Sequence, residues 1–271
     1  MSGRQSDVSD WWQTAIIDMA PGQIRLRGHP IEALIGTLTF PQMIWLLTRG
    51  DMPSDDQARL LEHALVAAVD HGPQAPSIAA ARMAVTCGLG LNGAMATAVN
   101  MLDDVHGGAG EQAVALYEAI DGAVAGGTPL AEATAAAIDD WQSTRSRYVP
   151  GFGHRFHTPQ DPRSPRLLAL VDAAAEAGTV EGRFAAIGRA VEAELIARKG
   201  KPVPMNIDGA TAVIYAELGF AGPLARGLFC LSRSVGALAH GWEQMQQGGR
   251  NKGPTPPAYR WRYTGPDPID G

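Results

Sequence analysis

Alanine-rich stretches with apolar residues at helical spacing recur almost without interruption after residue 50, which leaves room for little but a packed set of helices. Such runs cover 77–87, 92–104, 109–124, 129–144, 165–177, 181–198, 209–218 and 222–246. Ser54 with Gln57 forms a capping-box pattern ahead of Leu60, Leu61, Ala64, Leu65 and Ala68. Thr128-Pro129 and Ser164-Pro165 each place a capping residue before a proline at the expected first helical position. Alternating β-branched runs are few, so a parallel sheet is not expected. Two short extended candidates, TAIIDM and QIRLRG, flank the turn signal Pro21-Gly22 near the N-terminus. Gly88 to Gly93 matches G-x-G-x-x-G as a string, but it follows a helical run rather than a strand and reads as a helix–helix turn. Residues 1–10 read as a loose tail.

At 271 residues, one large domain or two intimately packed ones are expected. With 22 basic against 28 acidic residues the net charge is −6, which argues against nucleic-acid binding. An anionic substrate would therefore need a local cluster of Arg, Lys and His. No apolar stretch reaches membrane-spanning length, and the polar start lacks a signal-peptide core. Cys87 and Cys230 read as small buried thiols, and a reduced, cytoplasmic setting is expected. Trp11, Trp12, Trp242 and Trp261, near the two ends, are candidates for packing together.

The informative positions are the breaks between helices. His71 lies in Asp70-His71-Gly72-Pro73, His106 in Val105-His106-Gly107-Gly108, and His154 follows Gly151-Phe152-Gly153. Asp208 ends the stiff polar loop that begins at Lys199. Three histidines in equivalent glycine-flanked breaks, with a carboxylate in a fourth, mark chemistry carried by loops on a rigid scaffold. His29, His63, His157 and His240 lack that setting. The histidines show no paired metal-ligand spacing, and no metal is expected.

These motifs, in order, resemble those of the citrate synthase superfamily. They are Asp70-His71, His106-Gly107-Gly108, Gly153-His154-Arg155, Asp161-Pro162-Arg163, Asn206-Ile207-Asp208 and Ser232-Arg233. The segment Leu26 to Glu32 also resembles the family's opening β-segment. The resemblance implies an all-α fold, with a large helical domain over 1–107 and 220–271 and a smaller helical domain inserted over 108–219. It implies that Asp208 exchanges the proton at the acetyl-CoA methyl carbon. His106 would stabilise the enol or enolate, and His154 would exchange a proton with the oxygen of the partner acid. His71, Arg163 and Arg233 would hold that acid, because a guanidinium can meet a carboxylate with two hydrogen bonds. Arg198, Lys199 and Lys201 lie where the family contacts the phosphates of coenzyme A, although they read equally well as a solvated helix end. A homodimer is implied, with the helix runs 77–104 and 222–240 packing across a two-fold axis.

Within the superfamily, Asp70-His71-Gly72-Pro73 and Asn206-Ile207-Asp208-Gly209 are most similar to citryl-CoA lyases and to the citrate-synthase-like module of ATP-citrate lyase. The region before His71 is also short for a synthase. The C-terminal Arg-Pro motif of synthases, which supplies an arginine across the dimer interface, has no counterpart here; Arg260 or Arg262 would have to substitute. The resemblance thus implies cleavage of citryl-CoA, or a close 3-hydroxy-3-carboxyacyl-CoA, to acetyl-CoA and oxaloacetate; a separate citryl-CoA-forming ligase is a candidate partner that the amino-acid sequence does not decide. The alternative is a synthase condensing an acyl-CoA with a 2-oxo acid to citrate or 2-methylcitrate. A non-catalytic binder of coenzyme A or carboxylates is a third reading.

Overall fold

The computed structural model describes residues 11–154, 157, 159–267 and 269. The tail over 1–10 and Arg155 of the glycine–histidine motif lie outside the described residues. A three-stranded antiparallel sheet opens the chain, β1 (Ile17–Ala20), β2 (Gln23–Leu26) and β3 (His29–Pro30). Its first turn falls at Gly22, where φ is +74°. Eleven helices follow among the described residues: α1 (Ile31–Leu34), α2 (Phe40–Arg49), α3 (Asp55–Ala67), α4 (Pro76–Thr86), α5 (Leu91–Asn100), α6 (Ala109–Ala125), α7 (Leu130–Thr144), α8 (Arg163–Glu176), α9 (Arg183–Lys199), α10 (Ile207–Glu217) and α11 (Gly222–Gln247). The chain is all-α apart from the small opening sheet.

Helix α10 is the hub. Its residues Gly209–Ala216 are all buried, and it packs against α6, α8, α9 and α3. Tyr117, Ile138, Leu195, Val213, Tyr215 and Phe220 form the centre of the main core around it. A smaller core joins α4, α5 and α11 through Ile78, Ala81, Ala94, Ala98 and Ala237. Alanines there let the helices approach closely. Glu217, at the end of α10, accepts hydrogen bonds from the amides of Gly182, Phe184 and Ala185 and so satisfies the N-terminus of α9.

Several expectations need correction. The Ser54 and Gln57 capping box forms, but Thr128 and Ser164 cap nothing. Helix α7 begins after Pro129, and α8 begins already at Arg163, whose amide donates to Asp161 Oδ1. Ser164 thus lies inside α8, and its hydroxyl donates to the Met205 carbonyl at 2.7 Å. Cys87 is exposed and Cys230 half-buried. Trp11, Trp12, Trp242 and Trp261 are all exposed rather than packed together. The stretch 88–90 lies in the turn between α4 and α5, as expected, while Leu91 to Gly93 already belong to α5. No helix among the described residues is long and apolar enough to cross a membrane.

Candidate functional site

Two loops are bound edge to edge to build one wall of the site. The Asn206 amide donates to the Gly151 carbonyl, its side-chain amide donates to the Gly153 carbonyl, and the Gly153 amide donates to the Pro204 carbonyl at 2.7 Å. Gly151 has φ +83°, and a Cβ on it would lie 2.6 Å from the Cα of Gly209. A side chain at either glycine would therefore push the loops apart. Asn206 Oδ1 also accepts from the amides of Asp208 and Gly209, capping α10. Glu192 holds the Met205 amide at 2.7 Å. His154 and Asp208 are in this way carried on one cross-linked unit.

The opposite wall comes from the breaks around α3, α5 and α11. Ser232 and Arg233 on α11 hold the chain leading to His71: the Ser232 hydroxyl donates to the Leu65 carbonyl, and Arg233 Nε to the Ala68 carbonyl at 3.1 Å. Arg233 is buried, with its guanidinium over the Phe229 ring. The loop carrying His106 closes through the Asp103 amide and the His106 carbonyl at 3.0 Å. Arg226 grips the same loop through the carboxylates of Asp103, Asp104 and Glu111.

His106 Nε2 accepts from the Ser77 amide at 3.2 Å, at the N-terminus of α4. That leaves the proton of a neutral ring on Nδ1, which becomes a donor. Burial and the charge of Arg233 both push the His106 pKa down, so the neutral ring is favoured. His71 and His154 are also held below the ordinary histidine value, first by burial. For His71 the further causes are Arg163, Arg233 and His157; for His154 they are His157 and His71. Their rings meet edge to face, with centroids 5.4 Å apart. Asp208 moves the other way: burial raises its pKa although Arg233 and Arg163 oppose. A carboxyl raised in this manner is suited to giving and taking protons.

Arg163 forms a two-pronged pair with the buried Asp161, through Nε at 3.0 Å and Nη2 at 2.8 Å. Burial raises the Asp161 pKa, but its hydrogen bonds to Arg163 outweigh that and keep it ionised. His71, His106, His154, Arg163, Asp208 and Arg233 thus form one electrostatically linked cluster. Beside it, a cavity of about 250 Å³ is lined by Tyr148, Phe152, His154, Lys199, Lys201 and Pro204. Arg198 does not line it, being engaged by Glu194 and Asp139 on the helix flank.

Sequence pattern does not single out His157, yet its amide donates to His154 Nδ1 at 3.0 Å and its ring lies 4.4 Å from that of His154. Nδ1 being the acceptor, a neutral His154 carries its proton on Nε2. His154, His157 and Asp161 place potential ligand atoms within 4.8 Å of one another. The Arg163 guanidinium already occupies both Asp161 oxygens and opposes a cation there.

The family profile described as citrate synthase, C-terminal domain, matches residues 53–262. The chain is similar to the citryl-CoA lyase of Hydrogenobacter thermophilus, with 30% identity and a TM-score of 0.82 over 96% of both chains. It is 29% identical to the citrate synthase of Haloferax volcanii over 89% of this chain and 58% of that protein. The ATP citrate lyase of Methanothrix soehngenii, solved with citrate and coenzyme A, shares the fold at 20% identity, with a TM-score of 0.76 over 97% of this chain and 43% of the other. The chain spans just over half the length of the citrate synthases of Haloferax volcanii and Deinococcus radiodurans. With its profile match covering most of its length, this chain belongs to the citrate synthase family.

Proposed function

We propose that the protein cleaves citryl-CoA, or a close 3-hydroxy-3-carboxyacyl-CoA, to acetyl-CoA and oxaloacetate. The observation that carries this reading over condensation is the likeness to a citryl-CoA lyase over nearly the whole of both chains, at the TM-score of 0.82. The Asp70-His71-Gly72-Pro73 and Asn206-Ile207-Asp208-Gly209 motifs agree with it.

Arg163, Arg233 and His71 hold the carboxylates and oxygen of the acid portion. As the carbon–carbon bond breaks, its electron pair passes to the acetyl-CoA fragment as an enolate. His106 Nδ1–H donates to the enolate oxygen, and a neutral donor there avoids giving up a whole proton prematurely. Asp208 in its protonated form delivers a proton to the carbon. His154 faces the carbinol oxygen. In the arrangement seen it offers Nε2–H, so accepting the hydroxyl proton requires the His157 amide contact at Nδ1 to open and the ring to change tautomer. Lys199 and Lys201 at the cavity meet the phosphates of coenzyme A. A unit over 108–219 closes on the remainder to exclude water, which protects the thioester from hydrolysis. Two copies pair through the outer face of α11, and a separate ligase supplies the substrate.

The test offers the purified protein citryl-CoA and, separately, acetyl-CoA with oxaloacetate. Acetyl-CoA and oxaloacetate appear in the first tube, and no free coenzyme A in the second. Rapid release of free coenzyme A in the second tube instead establishes a synthase. Condensation is favoured as the second reading by the curated relatives, which are citrate synthases.

A further inference from the structure

The structure places a second imidazole behind His71. His240, on α11, sets its Nε2 3.2 Å from Asp70 Oδ1, an oxygen enclosed by the fold that no aligned hydrogen bond reaches, so the two meet as a close polar contact. The other oxygen of Asp70 accepts from the Gly72 amide at 3.1 Å, so this carboxylate spans the turn on which His71 sits. The opposite ring nitrogen of His240, Nδ1, lies 3.1 Å from Arg82 Nη1. A guanidinium can only donate, so Nδ1 must accept and the proton of the neutral ring must sit on Nε2, facing Asp70. Arg82 is itself held by Glu243 at 2.5 Å and Gln247 at 2.6 Å. Four residues from His240, α11 runs so close to the same turn that a Cβ on Gly236 would strike the Val69 carbonyl and lie 3.1 Å from Asp70 Oδ1.

We infer that His240 is a positioning residue for His71: with its tautomer selected by Arg82, it sets Nε2–H against the enclosed Asp70 oxygen, and this close polar contact holds the turn that presents His71 to the carboxylated substrate. The inference rests on the reading that His71 grips the acid. The low pKa of Asp70 agrees with it: burial raises that value, but the close approach of His240 and the bond from the Gly72 amide outweigh the burial and keep the carboxylate charged. Loss of the link should loosen the acid without loosening coenzyme A, whose cavity lies beside His154 and the 199–204 loop.

Oxaloacetate and coenzyme A are titrated separately by calorimetry into the wild type, His71→Ala, His240→Leu and His240→Gln, with the melting temperature of each recorded. His240→Leu weakens oxaloacetate binding by about tenfold, the scale of one close polar contact to a charged group, and leaves coenzyme A affinity unchanged. His240→Gln, whose terminal amide takes the place of Nε2–H, recovers wild-type affinity to within about threefold. Should His240→Leu not fold, Asp70→Ala removes the acceptor side of the same contact and is expected to show at least the same tenfold loss. Unchanged oxaloacetate affinity in His240→Leu, failure of glutamine to rescue it, or a parallel loss of coenzyme A affinity overturns the inference. If His71→Ala binds oxaloacetate as the wild type does, the role given to His71 falls. If His71→Ala weakens binding and His240→Leu does not, only the positioning link falls.

Discussion

Asp208 is retained at an energetic disadvantage. Its pKa is raised in the folded protein, so the fold opposes its ionised form and is strained when the group is charged. For a raised carboxyl this cost is absent below the unfolded value of about 3.8 and grows as pH rises to the folded value. Asp208→Asn removes the charge at nearly constant shape. It should melt higher than the wild type at pH 7.5, with the gap closing toward pH 4, while turnover falls by about 10²-fold or more. A variant that melts lower at pH 7.5 would contradict the cost assigned to the charge. His106 carries the opposite sign. Its depressed pKa means that the neutral ring is lost only as pH falls below the ordinary 6.5, and protonation of Nε2 would also sever the Ser77 amide contact. Turnover should therefore show an acid limb lying below pH 6.5, and His106→Gln should lower turnover by about 10²–10³-fold. A basic limb, with turnover falling as pH rises through about 6.5 and the limb lost in His106→Gln, would show that the ring works as a cation instead.

Between residue and fold stand the loops, and the tightest of their contacts is that of Gly151 with Gly209. A methyl on Gly209 would run into the Gly151 carbonyl and come within 2.8 Å of the Met205 side chain. Gly209→Ala should cost about 1–3 kcal/mol in urea unfolding and lower activity disproportionately, because His154 and Asp208 are displaced together. A variant with wild-type stability and turnover would show that the two loops move independently. The helices and the motif histidines are legible in the amino-acid sequence because their signals are local: alanine-rich periodicity, and glycines flanking His71, His106 and His154. What is not legible there depends on partners distant along the chain. Asp161 holds the Arg163 amide, so α8 starts ahead of Ser164 and leaves that hydroxyl to the Met205 carbonyl. His240 meets Asp70 across 170 positions, and Glu217 caps a helix that begins 34 residues earlier. No periodicity encodes such meetings. The apolar neighbours of Cys87 suggest burial, but it falls at the end of α4, where the helix face no longer decides exposure.

For the molecule as a whole, α11 carries apolar side chains on both its inner and its outer face. Its inner face buries Leu228, Phe229, Gly236, Ala237 and Gly241 against the fold. Its outer face carries Leu231, Val235, Leu238, Trp242 and Met245, each 42–58% exposed, at alternating spacings of four and three residues. That spacing is the seam of a helix meeting another helix, and a helix apolar on both faces calls for a cover on each. At 1.5 Å per residue the stripe runs about 21 Å, long enough for an antiparallel crossing with the same helix of a second copy. Because Arg233 and His240 project from this helix toward the site, the covered face would also brace the substrate-binding wall. Val235→Glu places a charge in the middle of the stripe and leaves the inner face untouched. Its expected consequence is a dimer constant weakened by about 10²-fold or more in sedimentation equilibrium, since an unpaired charge buried at an interface costs several kcal/mol. At concentrations where the variant is monomeric, its affinity for oxaloacetate should fall, and raising the protein concentration should restore it. A wild type that sediments as a 28.5 kDa monomer at all concentrations would remove the interface altogether. A variant that stays dimeric would place the interface on another face, leaving the apolar outer side of α11 to a partner of a different kind.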